Sequence, residues 1–143
     1  MNEKLEQFKR EIVDKKVAVL GIGISNTPLI KYLCKLGVGV TAFDMAEASA
    51  LKPVLDSLSG FDVEYSLGNG YLDKLKGFDV IFKTPKIRFD IPPLLREAEA
   101  GAEITSEMEV FCRLCPARIF AVTGSDGKTT TTTIIYNILK RHG

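Results

Sequence analysis

Apolar positions along the chain repeat at two spacings. Leu5, Phe8 and Ile12 recur at helical intervals and predict a short amphipathic helix over residues 3–13. Residues 16–20, apolar without a break after Lys16, are read as a buried strand ended by Gly21-Ile22-Gly23. Leu29, Ile30, Leu33 and Leu36 form one face of a helix, with Pro28 in its first turn and Gly37 at its end. Residues 38–43 predict a second strand running into Asp44, and residues 46–58 a helix that Pro53 splits or shifts. A third strand is expected at 61–65, a loop at 68–70, one helical turn at 71–75, and a fourth strand at 78–82 closed by Thr84-Pro85. Residues 92–100 read as a helix with Leu94, Leu95 and Ala98 inward and Gly101 as its cap. After a short strand at 103–105, Ser106 and Glu109 have capping-box spacing, Met108, Phe111, Cys112 and Cys115 share a helical face, and Pro116 ends that helix.

Short apolar strands alternating with helices imply βαβ units around a parallel sheet. The expected fold is therefore α/β, doubly wound and Rossmann-like, with a mostly parallel sheet. Pro116-Ala117 reads as a junction between a domain at residues 1–115 and a truncated second unit at residues 116–143. The second unit holds an apolar run at 118–122, a glycine turn and a helical tail at 131–141. One strand and one helix are too few to bury a core of their own.

Composition narrows the class. The 143 residues are 45% hydrophobic and 26% charged, with a net charge of +1, as in an ordinary globular protein. No basic excess points to nucleic acid, and no apolar run is long enough to span a membrane. Residues 1–16 are charged throughout and lack the apolar stretch of a signal peptide, so a cytoplasmic location is expected. The cysteines are Cys34, Cys112 and Cys115, an odd count that argues against a disulfide framework. Cys112 and Cys115 form a C-x-x-C, but no second pair exists and His142 is the only histidine, so two half-buried helix cysteines are favoured over a redox pair or a zinc site.

The chemistry concentrates in two glycine turns. Gly124-Ser125-Asp126-Gly127-Lys128-Thr129-Thr130 lies between the apolar run 118–122 and the helical tail. Strand, glycine turn and helix together aim backbone N–H groups and a positive helix end at a phosphate. Lys128 is the expected phosphate-binding and charge-stabilising group, and the Thr129 hydroxyl the Mg²⁺ ligand. The loop is a short G-x-x-G-K-T form, since Val122 stands where the longer pattern wants glycine, and Asp126 adds negative charge beside a polyphosphate. Earlier, Gly21-Ile22-Gly23 follows the first strand and Asp44 ends the second, the places of a dinucleotide fingerprint and its ribose-gripping acid. Asn26 replaces the third glycine, which weakens an NAD(P) reading without removing it. Lys83-Thr84-Pro85-Lys86 leaves the fourth strand at the same predicted sheet edge. The three edges suit a nucleotide with a diphosphate. An NAD(P)-binding oxidoreductase domain and a P-loop regulatory ATPase remain as alternatives.

On these segments, together with Ser106-Glu107-Met108-Glu109-Val110-Phe111-Cys112-Arg113, the chain resembles the Mur ligases of peptidoglycan synthesis, nearest to their D-glutamate-adding branch. The resemblance runs in order and spacing from Lys16 onward. It implies an enzyme of three domains, of which this chain holds the first and the opening of the second. It implies ATP and Mg²⁺ as cofactors, and UDP-N-acetylmuramoyl-L-alanine and D-glutamate as substrates. The precursor carboxylate would be activated as an acyl phosphate and attacked by the amine, a reaction this chain alone would not complete. By position, Gly23, Ile24 and Ser25 would touch the UDP moiety. Asp44 and Met45 would lie by the uracil and ribose, and Thr84, Pro85 and Lys86 by the base or diphosphate. Gly124, Ser125, Asp126, Gly127, Lys128, Thr129 and Thr130 would hold ATP. Asn26, Lys86 and Asp126 depart from the residues usual in the family, and a Mur-like ligase with another acceptor or precursor stays open.

Overall fold

A computed structural model describes residues 2–24 and 26–142. Five parallel strands, β1 (Val17–Leu20), β2 (Val40–Asp44), β3 (Val63–Leu67), β4 (Val80–Lys83) and β5 (Glu103–Thr105), form one sheet in the order β3-β2-β1-β4-β5. The central strand β1 pairs Val17 with both Val40 and Val80, and Leu20 with both Phe43 and Lys83. All four of its residues are buried, as a strand covered on both faces requires.

Alternation along the strands divides the interior in two. Val17, Val19, Val40, Ala42, Val80 and Phe82 face one side. There they meet α1 (Glu3–Ile12), α2 (Asn26–Lys35), α3 (Ala48–Leu58) and α5 (Glu107–Leu114) through Ile12, Ile30, Leu33, Leu58 and Val110. Ala18, Leu20, Phe43 and Ile81 face the other side, against Leu94 of α4 (Pro92–Glu99) and Leu75. The link from β3 to β4 crosses that side as a series of turns rather than a helix, so the expected helical turn at 71–75 is not formed. Tyr71, Leu72, Leu75 and Phe78 pin it down, Phe78 meeting Phe43 edge-on at 5.6 Å.

Several sequence expectations are corrected. Pro53 does not split α3: it is exposed, as is Ser49, so the carbonyl left without an N–H partner faces water. The third and fourth strands begin two residues later than read. On α4, Leu94 is buried but Leu95 and Ala98 are not; Glu97, at 5% exposure, takes the inward position. Its carboxylate accepts the N–H groups of Gly77 at 2.7 Å and Phe78 at 3.2 Å, which makes burial tolerable. On α5, Val110 is the buried residue, while Met108, Phe111 and Cys112 are exposed and Cys115 is half-buried just beyond the helix. Ser106 does cap that helix, accepting from the Glu109 N–H at 3.2 Å.

Residues 118–122 are not a strand. A strand needs a ladder partner, and none of the five sheet strands accepts it at an edge. The tail helix is present as α6 (Lys128–His142), with no buried residue among those described. The doubly wound sheet is therefore as expected, and the strand that was to precede the phosphate loop is not formed.

Candidate functional site

Strands β2 and β3 lie on one side of β1, and β4 and β5 on the other. The chain reverses its direction of travel across the sheet between β1 and β4. In open α/β sheets the loops leaving such a switch point at the carboxyl ends of the strands diverge and leave a crevice. Those loops here are the link between β1 and α2 and residues 84–91 after β4, with 45–47 after β2 beside them.

The first loop is tightly constrained. Gly21 adopts φ +89°, and its N–H bonds the Phe43 carbonyl at 2.7 Å. A Cβ at Gly21 would stand 2.8 Å from Cγ2 of Thr84, so the β1 and β4 loops approach only because the residue has no side chain. The Ile22 N–H donates to Oδ2 of Asp44 at 2.7 Å, while Oδ1 of the same carboxylate accepts from the Ala46 N–H at 2.9 Å. Asp44 thus ties the turn after β1 to the turn after β2. Gly23 is exposed, with no atom within 4 Å of where a Cβ would be, so backbone is open to an incoming group there.

Asn26 explains the absent third glycine. It is the first residue of α2 and only 3% exposed. Its Nδ2 donates to the Gly21 carbonyl at 2.8 Å and the Leu20 carbonyl at 3.3 Å. Where glycine would permit close packing by being small, an amide here achieves it by bonding the strand's last carbonyls. Thr27 adds a second fastening, its N–H and hydroxyl both donating to the Gly23 carbonyl at 3.0 and 2.8 Å.

The loop after β4 is equally set. The Thr84 N–H bonds the Leu20 carbonyl at 3.2 Å, and the Ile87 N–H bonds the Thr84 carbonyl at 3.1 Å. Lys83 folds inward to donate to the Ile87 carbonyl at 3.0 Å, leaving Lys86 as the exposed cation of this turn. Arg88 grips Asp90 through two bonds of 2.8 and 2.5 Å, and this contact holds the Asp90 carboxyl below its usual range. Ile24, Met45 and Phe89 stand 97%, 76% and 71% exposed on the three loops. Sequence reasoning missed Phe89, since a lone aromatic in a polar stretch carries no periodic signal.

The structure therefore brings Gly23, Ile24, Asp44, Met45, Thr84, Pro85 and Lys86 to one sheet edge. Ser25 lies outside the described residues. The later group, Gly124 to Thr130, is elsewhere, in a turn where Gly124 and Gly127 take φ +150° and +73° and α6 begins at Lys128. Asp126, Thr129 and Thr130 are exposed. Lys128 folds back on its own loop, Nζ donating to the Gly124 carbonyl at 2.5 Å and the Ser125 carbonyl at 3.1 Å. Among the described residues no hydrogen bond joins residues 117–142 to residues 2–116. Two concavities lie away from both groups, one of about 330 Å³ between α1, α5 and the start of β4, the other of about 410 Å³ between α1, α2 and α5. Neither is lined by the glycine turns, so the chemistry-bearing residues and not the hollows locate the site.

A family model for the Mur ligase MurD-like N-terminal domain matches residues 15–106, the stretch from the approach to β1 to the end of β5. The chain belongs to this family. Three relatives named UDP-N-acetylmuramoylalanine–D-glutamate ligase are similar to it over all 143 of its residues. Those of Acetivibrio thermocellus, Ruminiclostridium cellulolyticum and Clostridium novyi are 64%, 59% and 54% identical to it. In each case this MurD-like chain spans 31% of the relative's length. Helices α1, α5 and α6 lie outside the matched domain.

Proposed function

We propose that this chain is the precursor-binding portion of an ATP-dependent ligase that joins D-glutamate to UDP-N-acetylmuramoyl-L-alanine in peptidoglycan synthesis. Residues 1–115 form the precursor domain, and residues 116–143 open the ATP-binding domain. The observation that carries this reading is the end-to-end likeness to D-glutamate ligases at 64% identity, which includes both glycine turns.

The geometry supports a division of labour. The open backbone at Gly23, followed in the chain by Ile24 and Ser25, offers N–H groups to a diphosphate. Lys86 is placed on the neighbouring loop to neutralise it. Asp44 already accepts two backbone N–H groups, but a carboxylate has about four acceptor positions, so it can also take a ribose hydroxyl or a base N–H. Met45, Thr84 and Pro85 flank the nucleoside. In the later turn, two positive-φ glycines and a helix starting at Lys128 suit the wrapping of a polyphosphate. Lys128 has to leave the Gly124 and Ser125 carbonyls to reach it, and the Thr129 hydroxyl would serve as the Mg²⁺ ligand. Bound ATP would supply the phosphoryl group that activates the precursor carboxylate; the chain's own residues position and neutralise charge.

The test is calorimetric titration of the folded chain with UDP and with UDP-N-acetylmuramoyl-L-alanine. Heat of binding is expected for both, together with no NADH response by fluorescence. A folded chain that gives no heat at millimolar ligand, or that binds NADH instead, defeats the proposal. The chain alone is expected to give no phosphate release with ATP, precursor and D-glutamate.

A further inference from the structure

Helices α1 and α5 both lie outside the matched domain, yet they pack on each other and on the same sheet face. Ile12 and Val110 are buried in one cluster, with Phe8 and Leu114 packed against it. Asn2 joins them at their ends. Its Oδ1 accepts from the Leu5 N–H at 3.3 Å, capping α1. Its Nδ2 donates to the Leu114 carbonyl at 2.7 Å. That carbonyl belongs to the last residue of α5, where helices leave acceptors without partners, and Pro116 follows too closely for the helix to continue. The two contacts also fix the amide's orientation, because turning it over would set N–H against N–H and oxygen against oxygen.

We infer that α1 is a brace for the point where the chain leaves the sheet domain, with Asn2 as its positioning residue. Contacts of three kinds hold α5 there: apolar burial, an ion pair and the bond from Asn2. Val110 sits in the core, Arg113 Nη1 reaches Glu103 Oε1 of β5 at 2.8 Å, and Asn2 secures the final carbonyl. Beyond it, Cys115 is extended at ψ 121° and the chain runs through residues 116–127 to the phosphate loop. The direction of that exit is thus set from the far end of the chain, 112 positions away in sequence. The brace does not depend on what either glycine turn binds.

Asn2→Asp separates capping from bracing. An aspartate caps a helix as well as asparagine does, and its charge suits the helix start, but it cannot donate to the Leu114 carbonyl. Hydrogen exchange read by mass spectrometry on the whole chain is expected to show residues 3–8 unchanged and residues 110–118 about fivefold faster, the factor set by one net hydrogen bond. Trypsin should cut after Arg113 and Arg118 faster in proportion. Asn2→Ala, which loses both roles, should loosen both segments. Exchange at residues 110–118 that matches the parent in Asn2→Asp would overturn the inference. So would equal loosening of residues 3–8 and 110–118 in that variant, since Asn2 would then serve α1 alone.

Discussion

Gly21→Ala tests whether the approach of the β1 and β4 loops depends on a missing side chain. Two costs arise from different causes. At φ +89° an L-residue is in the left-handed region, which costs about 1–2 kcal/mol. The new Cβ would also stand 2.8 Å from Thr84 Cγ2, and relieving such an overlap in packed surroundings costs about 1–3 kcal/mol. Urea denaturation should therefore show a loss of about 2–5 kcal/mol at unchanged m-value. A double-mutant cycle separates the parts. Thr84→Ser removes Cγ2, so Gly21→Ala measured in that background should recover about 1 kcal/mol or more, while the conformational cost stays. If Gly21→Ala costs the same in the Thr84→Ser background as in the parent, the steric half of the reasoning is wrong. If it costs under about 0.5 kcal/mol in both backgrounds, the left-handed turn is not needed and the constraint itself fails.

Other consequences follow from single side chains. Glu97→Ala strips the acceptor from two part-buried backbone N–H groups and should cost about 2 kcal/mol by the same denaturation assay, whereas Glu97→Gln keeps one acceptor and should cost about 1 kcal/mol. Asn26→Gly supplies the fingerprint glycine yet frees the Gly21 carbonyl and leaves the Leu20 carbonyl with the Thr84 N–H alone; a loss of about 1–2 kcal/mol is expected, and a gain in stability would contradict the fastening role. Burial holds the Cys34 thiol above its ordinary range, so its thiolate fraction at mild alkaline pH is depressed. Cys112, which is exposed, should be alkylated well before Cys34, and Cys34 should catch up only as pH rises past the usual thiol range; mass-spectrometric labelling against pH reads this directly.

Much of the fold was legible because local periodicity and sheet burial agree. Residues 17–20 are apolar without a break, and that pattern suits a central parallel strand covered on both faces. Ser106 and Glu109 marked a helix start that the capping contact bears out. Periodicity failed where one polar residue could be buried against distant partners. Glu97 and Leu94 share a face at i, i+3, but only the Gly77 and Phe78 N–H groups, far off in sequence, make the carboxylate the inward residue and turn Ala98 out. Asn26 misled in the same way: as a letter it is a lost glycine, and as a side chain it is a clasp on two carbonyls. The run at 118–122 has strand composition but no ladder partner in the sheet, so composition alone could not make it a strand.

The sequence by itself determined the alternation of strand and helix, the glycines at the turns and the two candidate anion corners. These depend on neighbours within a few residues, on backbone freedom and on side-chain period. Only the tertiary structure decided that Thr84 lies against Gly21, that Asp44 joins two loops and that Asn2 closes the end of α5. The Gly21–Thr84, Ile22–Asp44 and Asn2–Leu114 contacts each link residues that the chain separates by 22 positions or more. Their pairing follows from the order in which strands line up in the sheet, and no local pattern encodes that order.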